Sequence, residues 1–191
     1  MRKVEISVGE CYHVLNRGVL KQNIFNSDAD FSRFLFLILF LQSPLGFPQI
    51  SRPVQHFVKH RVFDISTQDI EDICDNRYVE LVAFSLMPNH FHLILKEKEE
   101  GGISRYMQRV LNGYTKYYNT KYKKSGHLFQ GPYKAVHQTT DTQLLYLSAY
   151  IHRNARELTN WRNKEDRYPW SSYQDYTGTN RWGKQIMPPT F

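Results

Sequence analysis

His90 and His92 stand two apart in the run Met87-Pro88-Asn89-His90-Phe91-His92-Leu93-Ile94-Leu95. On a β-strand successive side chains alternate faces, so residues i and i+2 point the same way. Two imidazoles side by side on one face make half of a divalent metal site. Phe91, Leu93 and Leu95 then turn towards a core on the opposite face. The competing arrangement has one histidine buried and hydrogen-bonded and the other on the surface. A second pattern lies farther along. Tyr146, Tyr150 and Asn154 fall four apart, and on a helix they form one polar stripe that can point at the two histidines. The chain holds 13 tyrosines, so any one of them is more often a packing residue than a nucleophile. Tyr114 and Tyr117 compete with Tyr150 in an equally basic setting.

These residues need elements to position them. Cys11 to Asn16 predicts a first strand, ending at the turn signal Asn16-Arg17-Gly18. Asn26-Ser27-Asp28 predicts a helix cap, followed by Phe31, Phe34, Leu35, Ile38 and Leu41 at helical spacing. Residues 43 to 77 show weak periodicity and read as an insertion, with a short helix from Thr67 to Cys74. Val79 to Leu86 and Phe91 to Lys96 predict a hairpin around Pro88, which lacks a ladder donor. Ile103 to Tyr122 carries one broad apolar stripe and predicts a long helix, in which Gly113 costs about 1 kcal/mol relative to Ala. Tyr133 to Gln138 predicts a last strand, and Thr140-Asp141 caps a helix running to about Glu157. This order predicts an α+β fold: a ferredoxin-like antiparallel sheet with helices packed on one face and an insertion after the first helix. Residues 1–191 read as one domain, with the insertion at about 43–77 and an irregular aromatic tail at about 158–191.

Composition narrows the function. A formal net charge of +7 and a pI near 9.4 favour an anionic partner, nucleic acid or an anionic membrane surface. Cys11 and Cys74 form no Cys-x-x-Cys pair, which fits a reducing compartment. The first eight residues hold charge but too short an apolar run for a signal peptide. Phe34 to Leu41, the most apolar stretch, falls far below the roughly 18 residues of a membrane span. The expectation is a cytoplasmic protein with no membrane partner.

Pro88-Asn89-His90-Phe91-His92-Leu93 resembles the histidine–hydrophobic–histidine motif of single-tyrosine HUH transposases, most of all their REP-associated tyrosine transposase branch. Tyr12-His13-Val14 with Asn16-Arg17-Gly18 resembles the opening strand of that family. Ser125-Gly126-His127-Leu128-Phe129-Gln130-Gly131 with Tyr133-Lys134 resembles its glycine-rich basic loop. Tyr150-Ile151-His152-Arg153-Asn154 resembles its catalytic helix, and Tyr168-Pro169-Trp170-Ser171-Ser172-Tyr173 its C-terminal signature. The likeness runs from about residue 11 to 176, and residues 43–77 find no counterpart.

The resemblance implies that Tyr150 is the nucleophile. It implies that His90, His92 and Asn154 hold the metal, Asn154 occupying the place four residues after the tyrosine. An amide oxygen suits Mg²⁺ or Mn²⁺. The implied product is a 5′-phosphotyrosine link, whose bond energy allows a second DNA end to reverse the reaction. The implied partner is single-stranded or hairpin DNA. Lys116, Lys121, Lys123 and Lys124 interleave with tyrosines, a pattern in which lysines neutralise phosphates while rings stack on bases. Arg17, Arg105, Arg109, His127, Lys134 and Arg153 complete the expected DNA-binding set. A loop at residues 138–142 ahead of the tyrosine helix permits either a monomer or a homodimer. Two other functions compete: a nucleic-acid-binding module of the same fold that no longer cuts, and a metal-dependent hydrolase using His90 and His92.

Overall fold

The computed structural model describes residues 5–183 and 185–188. Residues 1–4, part of the stretch read for a signal peptide, lie outside the described residues, as do 184 and 189–191 of the tail. Four strands, β1 (Cys11–Arg17), β2 (Val79–Met87), β3 (His90–Glu97) and β4 (Lys134–Gln138), form one sheet in the order β2-β3-β1-β4. Every pairing is antiparallel. This is the ferredoxin-like order that the succession of strands and helices predicts.

Alternation builds the two faces. Tyr12 and Val14 of β1 and Phe91, Leu93 and Leu95 of β3 enter one core. That core is closed by α1 (Asp28–Phe40) and α4 (Gly102–Tyr122), which supply Phe34, Leu35, Ile38, Tyr106, Val110 and Tyr114. Ile94, Val82 and Ala83 point the other way, against Leu144 and Ile151 of α5 (Asp141–Arg153). A register shift between Leu81 and Ala83 places Val82 and Ala83 together on that side. The helices on one face are thus α1 and α4, and α5 covers the face that carries the histidines.

Local chemistry sets the helix ends. Thr140 accepts a hydrogen bond from the Gln143 amide at 3.2 Å and starts α5. The buried Glu97 carboxylate accepts from the Gly102 and Ile103 amides at 2.9 and 2.6 Å and starts α4. Only glycine fits at 102, because a Cβ there would lie 2.0 Å from the Tyr78 carbonyl oxygen. Residues 43–77 hold two helices, α2 (Ser51–His60) and α3 (Thr67–Asp75). The first of these was not legible from the pattern, because its apolar face is short: Pro53, Val54 and Phe57. Val54, Phe57 and Ile73 join the same core as α1.

The tail fastens the edge of the sheet. Leu86 donates its amide to the Trp170 carbonyl at 2.8 Å, and Tyr168 donates its hydroxyl to the Leu86 carbonyl at 2.7 Å. Ser172 bonds to both the amide and the carbonyl of Phe84. The β2 edge is therefore paired rather than open. A short helix, α6 (Tyr173–Thr177), follows.

Candidate active site

His90 and His92 lie on the α5 face of β3, with ring centroids 5.1 Å apart. Each ring has one nitrogen engaged. His90 Nδ1 donates to Asn89 Oδ1 at 2.7 Å, in the turn between β2 and β3. His92 Nδ1 meets His13 Nε2 on β1 at 2.8 Å. Both rings therefore keep Nε2 for another partner, the arrangement in which a second group fixes the tautomer of a ligating imidazole.

Burial makes all three imidazoles reluctant to charge. It pushes His13 down to about 4. It pushes His92 down to about 3, helped by its neighbours His13 and His90. His90 is lowered by burial and by Arg17, against the opposing pull of Glu157 and the Asn154 side chain. Neutral imidazole is the form that binds metal.

α5 brings the second half of the site. Ser148, Ile151 and His152 face inward, and Tyr146 and Tyr150 face outward. The Tyr150 ring stands edge-on to His92 with centroids 5.7 Å apart, and it is 53% exposed. The regular helix ends at Arg153, and Asn154 opens a 3₁₀ turn, Asn154–Glu157. Asn154 is 4% exposed and interacts with His90. Its amide Nδ2 is buried with no hydrogen-bond partner. The unpaired Nδ2 is a donor and no cation ligand; what suits a divalent cation is the Asn154 side-chain oxygen beside two neutral imidazoles, a set of hard oxygen and borderline nitrogen donors. Among the described residues no cluster of three or more His, Cys, Asp or Glu could hold a metal. His152 turns inward instead. It bonds to Ser172 Oγ at 2.8 Å and stacks on Tyr173, tying α5 to the strand-edge tail.

The family model described as "Transposase IS200 like" matches residues 54–154. The chain belongs to the IS200-like transposase family. A solved REP-associated tyrosine transposase, described as bound to a REP hairpin, shares its fold, with a TM-score of 0.59. The two are 13% identical, over 96% of this chain and 87% of that one. A Deinococcus radiodurans chain with a provisional transposase name is 14% identical over 80% of this chain and 97% of its own, at a TM-score of 0.41. No curated protein sequence matches. No helix among the described residues of the transposase is long and apolar enough to cross a membrane.

The transposase gathers only some of its expected DNA-binding cations around this site. Arg17 and Lys134 line a cleft of about 540 Å³ with Lys21, Asn89, His90 and Glu157. Arg153 lines a second cleft with Tyr150 and Asn154. His127 is exposed on the loop before β4. The α4 group lies on the other side of the sheet. Arg109 donates to the Ser43 and Leu45 carbonyls and to the Tyr78 hydroxyl. Lys121 pairs with the buried Asp30 at 2.6 Å, and Arg105 pairs with Glu99 at 2.9 Å. Lys124 sits over the Tyr118 ring, while Lys116 and Lys123 are exposed. Tyr114 and Tyr117, the rival tyrosines, bond to the Ile24 carbonyl and to Asp30.

His13 and Glu157 are neighbours of the site that sequence reasoning missed. His13 sits on the same face as Leu15, the Cα partner of His92, but only pairing of β1 with β3 could show it. Glu157 follows Asn154 by three residues and lines both clefts.

Proposed function

We propose that this transposase is a metal-dependent single-strand DNA endonuclease and strand-transferase that cuts through a covalent 5′-phosphotyrosine link at hairpin-containing ends. The approach of Tyr150 to His92, 5.7 Å between ring centroids, carries the reading. α5 sets a phenol beside two neutral imidazoles and ends in a buried amide turned towards one of them.

Bound Mg²⁺ or Mn²⁺, held by His90, His92 and Asn154, would polarise the scissile phosphate. Tyr150 attacks phosphorus as the bond to the 3′ oxygen breaks. The phenol proton passes to water or a base, and the released 3′ oxygen takes one up. A free 3′-hydroxyl of a second end can then attack the phosphotyrosine, restore Tyr150 and join the strands without ATP. Arg17 and Lys134 border the cleft that His90 lines, Arg153 borders the cleft that Tyr150 lines, and the three would hold the flanking phosphates. The hairpin element rests on family resemblance, and the solved REP-associated relative is itself described as bound to a REP hairpin.

Labelled single-stranded hairpin DNA from the flanks of the gene, run on a denaturing gel, tests this. The expected result is a protein-linked band that needs Mn²⁺, disappears with chelator and is absent in Tyr150→Phe. Cleavage without a covalent band would move the reaction to activated water. No cleavage on any hairpin would favour a binding module.

A further inference from the structure

Tyr146 is 75% exposed, one helical turn before Tyr150 on the same face of α5. Among the described residues, no hydrogen bond or ring contact engages it. Tyr150 on the same face is 53% exposed, so two aromatic rings stand open to solvent one helical turn apart. The ring lines an open cleft of about 490 Å³ together with Tyr150, Arg153, Asn154, Arg156 and Glu157. Ala149, between the two tyrosines in sequence, also lines it and contributes only a methyl. Two guanidiniums against one carboxylate, Glu157, together with the Tyr146 ring and Tyr150, thus border one space of ligand-binding size with cations in excess. The chemistry of that lining is what an unpaired nucleotide needs: cations for its phosphates and a flat apolar face for its base. Stacking reads no base edge, so the platform would accept any base.

We infer that Tyr146 is the stacking platform for the nucleobase next to the phosphate attacked by Tyr150. This inference rests on the proposed tyrosine chemistry for its meaning, and on a single-stranded DNA occupant. Arg153 and Arg156 hold the backbone, Tyr146 holds the adjoining base, and the phosphate between them is delivered to the nucleophile. Tyr146 is a substrate-binding residue and takes part in no bond change.

The test compares wild type with Tyr146→Ala, Tyr146→Phe and Tyr146→Trp, on single-stranded hairpin DNA with one abasic nucleotide walked along the strand. Binding is read by fluorescence anisotropy and cutting on the gel. Tyr146→Ala is expected to lose ten- to hundredfold in affinity, and the ring-keeping variants less than threefold. At one position next to the cut, the abasic site should cost wild type the same factor and cost Tyr146→Ala nothing more. Equal affinity of Tyr146→Ala and wild type overturns the platform. So does a loss in Tyr146→Phe as deep as in Tyr146→Ala, since the hydroxyl would then be the working group. Conversion of a dimer to a monomer with unchanged affinity per protomer would assign the ring to a protein interface instead. The binding arm needs no cleavage, so it decides whether Tyr146 stacks on an unpaired base even if wild type fails to cut; in that case the contact stands and its place beside an attacked phosphate falls with the tyrosine mechanism.

Discussion

His13 Nε2 and His92 Nδ1 lie 2.8 Å apart across the β1–β3 pair, their rings inclined by 24° with centroids 5.0 Å apart. A half-buried imidazole thereby engages Nδ1 of His92 and leaves Nε2 as the nitrogen open to another partner. Groups that orient a ligating histidine typically contribute about 10- to 100-fold to metal affinity. His13→Phe keeps the ring and removes the hydrogen bond, so it is expected to weaken Mn²⁺ binding by about that factor. His13→Gln, which can still bond to Nδ1, is expected to lose less. Electron paramagnetic resonance of free Mn²⁺ reads the affinity without any DNA. Unchanged binding in His13→Phe would remove the orienting role, whereas no binding by wild type would remove the metal site itself.

Asp30 gives a different kind of prediction, about stability. Its buried carboxylate accepts from the Asn26 amide, Tyr117, Lys121 and Tyr122. Burial alone would raise its pKa, but those hydrogen bonds, Lys121 and Tyr122 foremost, outweigh burial and hold it below the usual carboxylate range. A folded-state value below the unfolded one means the contribution is complete above about pH 4 and is lost as pH falls through the lower value. Asp30→Asn is expected to cost about 2–4 kcal/mol near neutral pH, discounted because Lys121 is partly solvated. Urea melts between pH 6 and 2 should show wild type and variant converging at the acid end. Parallel curves would mean that the carboxylate charge contributes nothing.

The cations separate into two groups that salt dependence can distinguish. Arg17 and Lys134 border the cleft beside His90, whereas Arg109 is spent on the carbonyls of Ser43 and Leu45. Each phosphate contact on a single strand contributes about 0.7 to the slope of log affinity against log salt. Arg17→Ala and Lys134→Ala should each flatten that slope by about this amount. Arg109→Met should leave the slope alone and lower the thermal midpoint. A flattened slope in Arg109→Met would return α4 to the DNA-binding surface.

Much of this molecule follows from short-range rules. A period of two puts His90 and His92 on one face and Phe91 on the other; a period near 3.6 groups Tyr146, Tyr150 and Asn154. Thr140 before Gln143 announces the helix that carries them. These depend on bonds between residues a few positions apart, which any reader of the chain can trace. The tertiary structure decided the rest. It set His13 against His92 through the pairing of β1 with β3, and it laid α5 over the histidine face by packing Leu144 and Ile151 onto Val82, Ala83 and Ile94. It gave Arg109 the carbonyls of Ser43 and Leu45 and gave Lys121 the carboxylate of Asp30, partners far away in the sequence. Charge and periodicity report what a side chain could do. Which group meets it across the sheet or between helices depends on register and packing, and those are settled only when distant segments bury their apolar faces together.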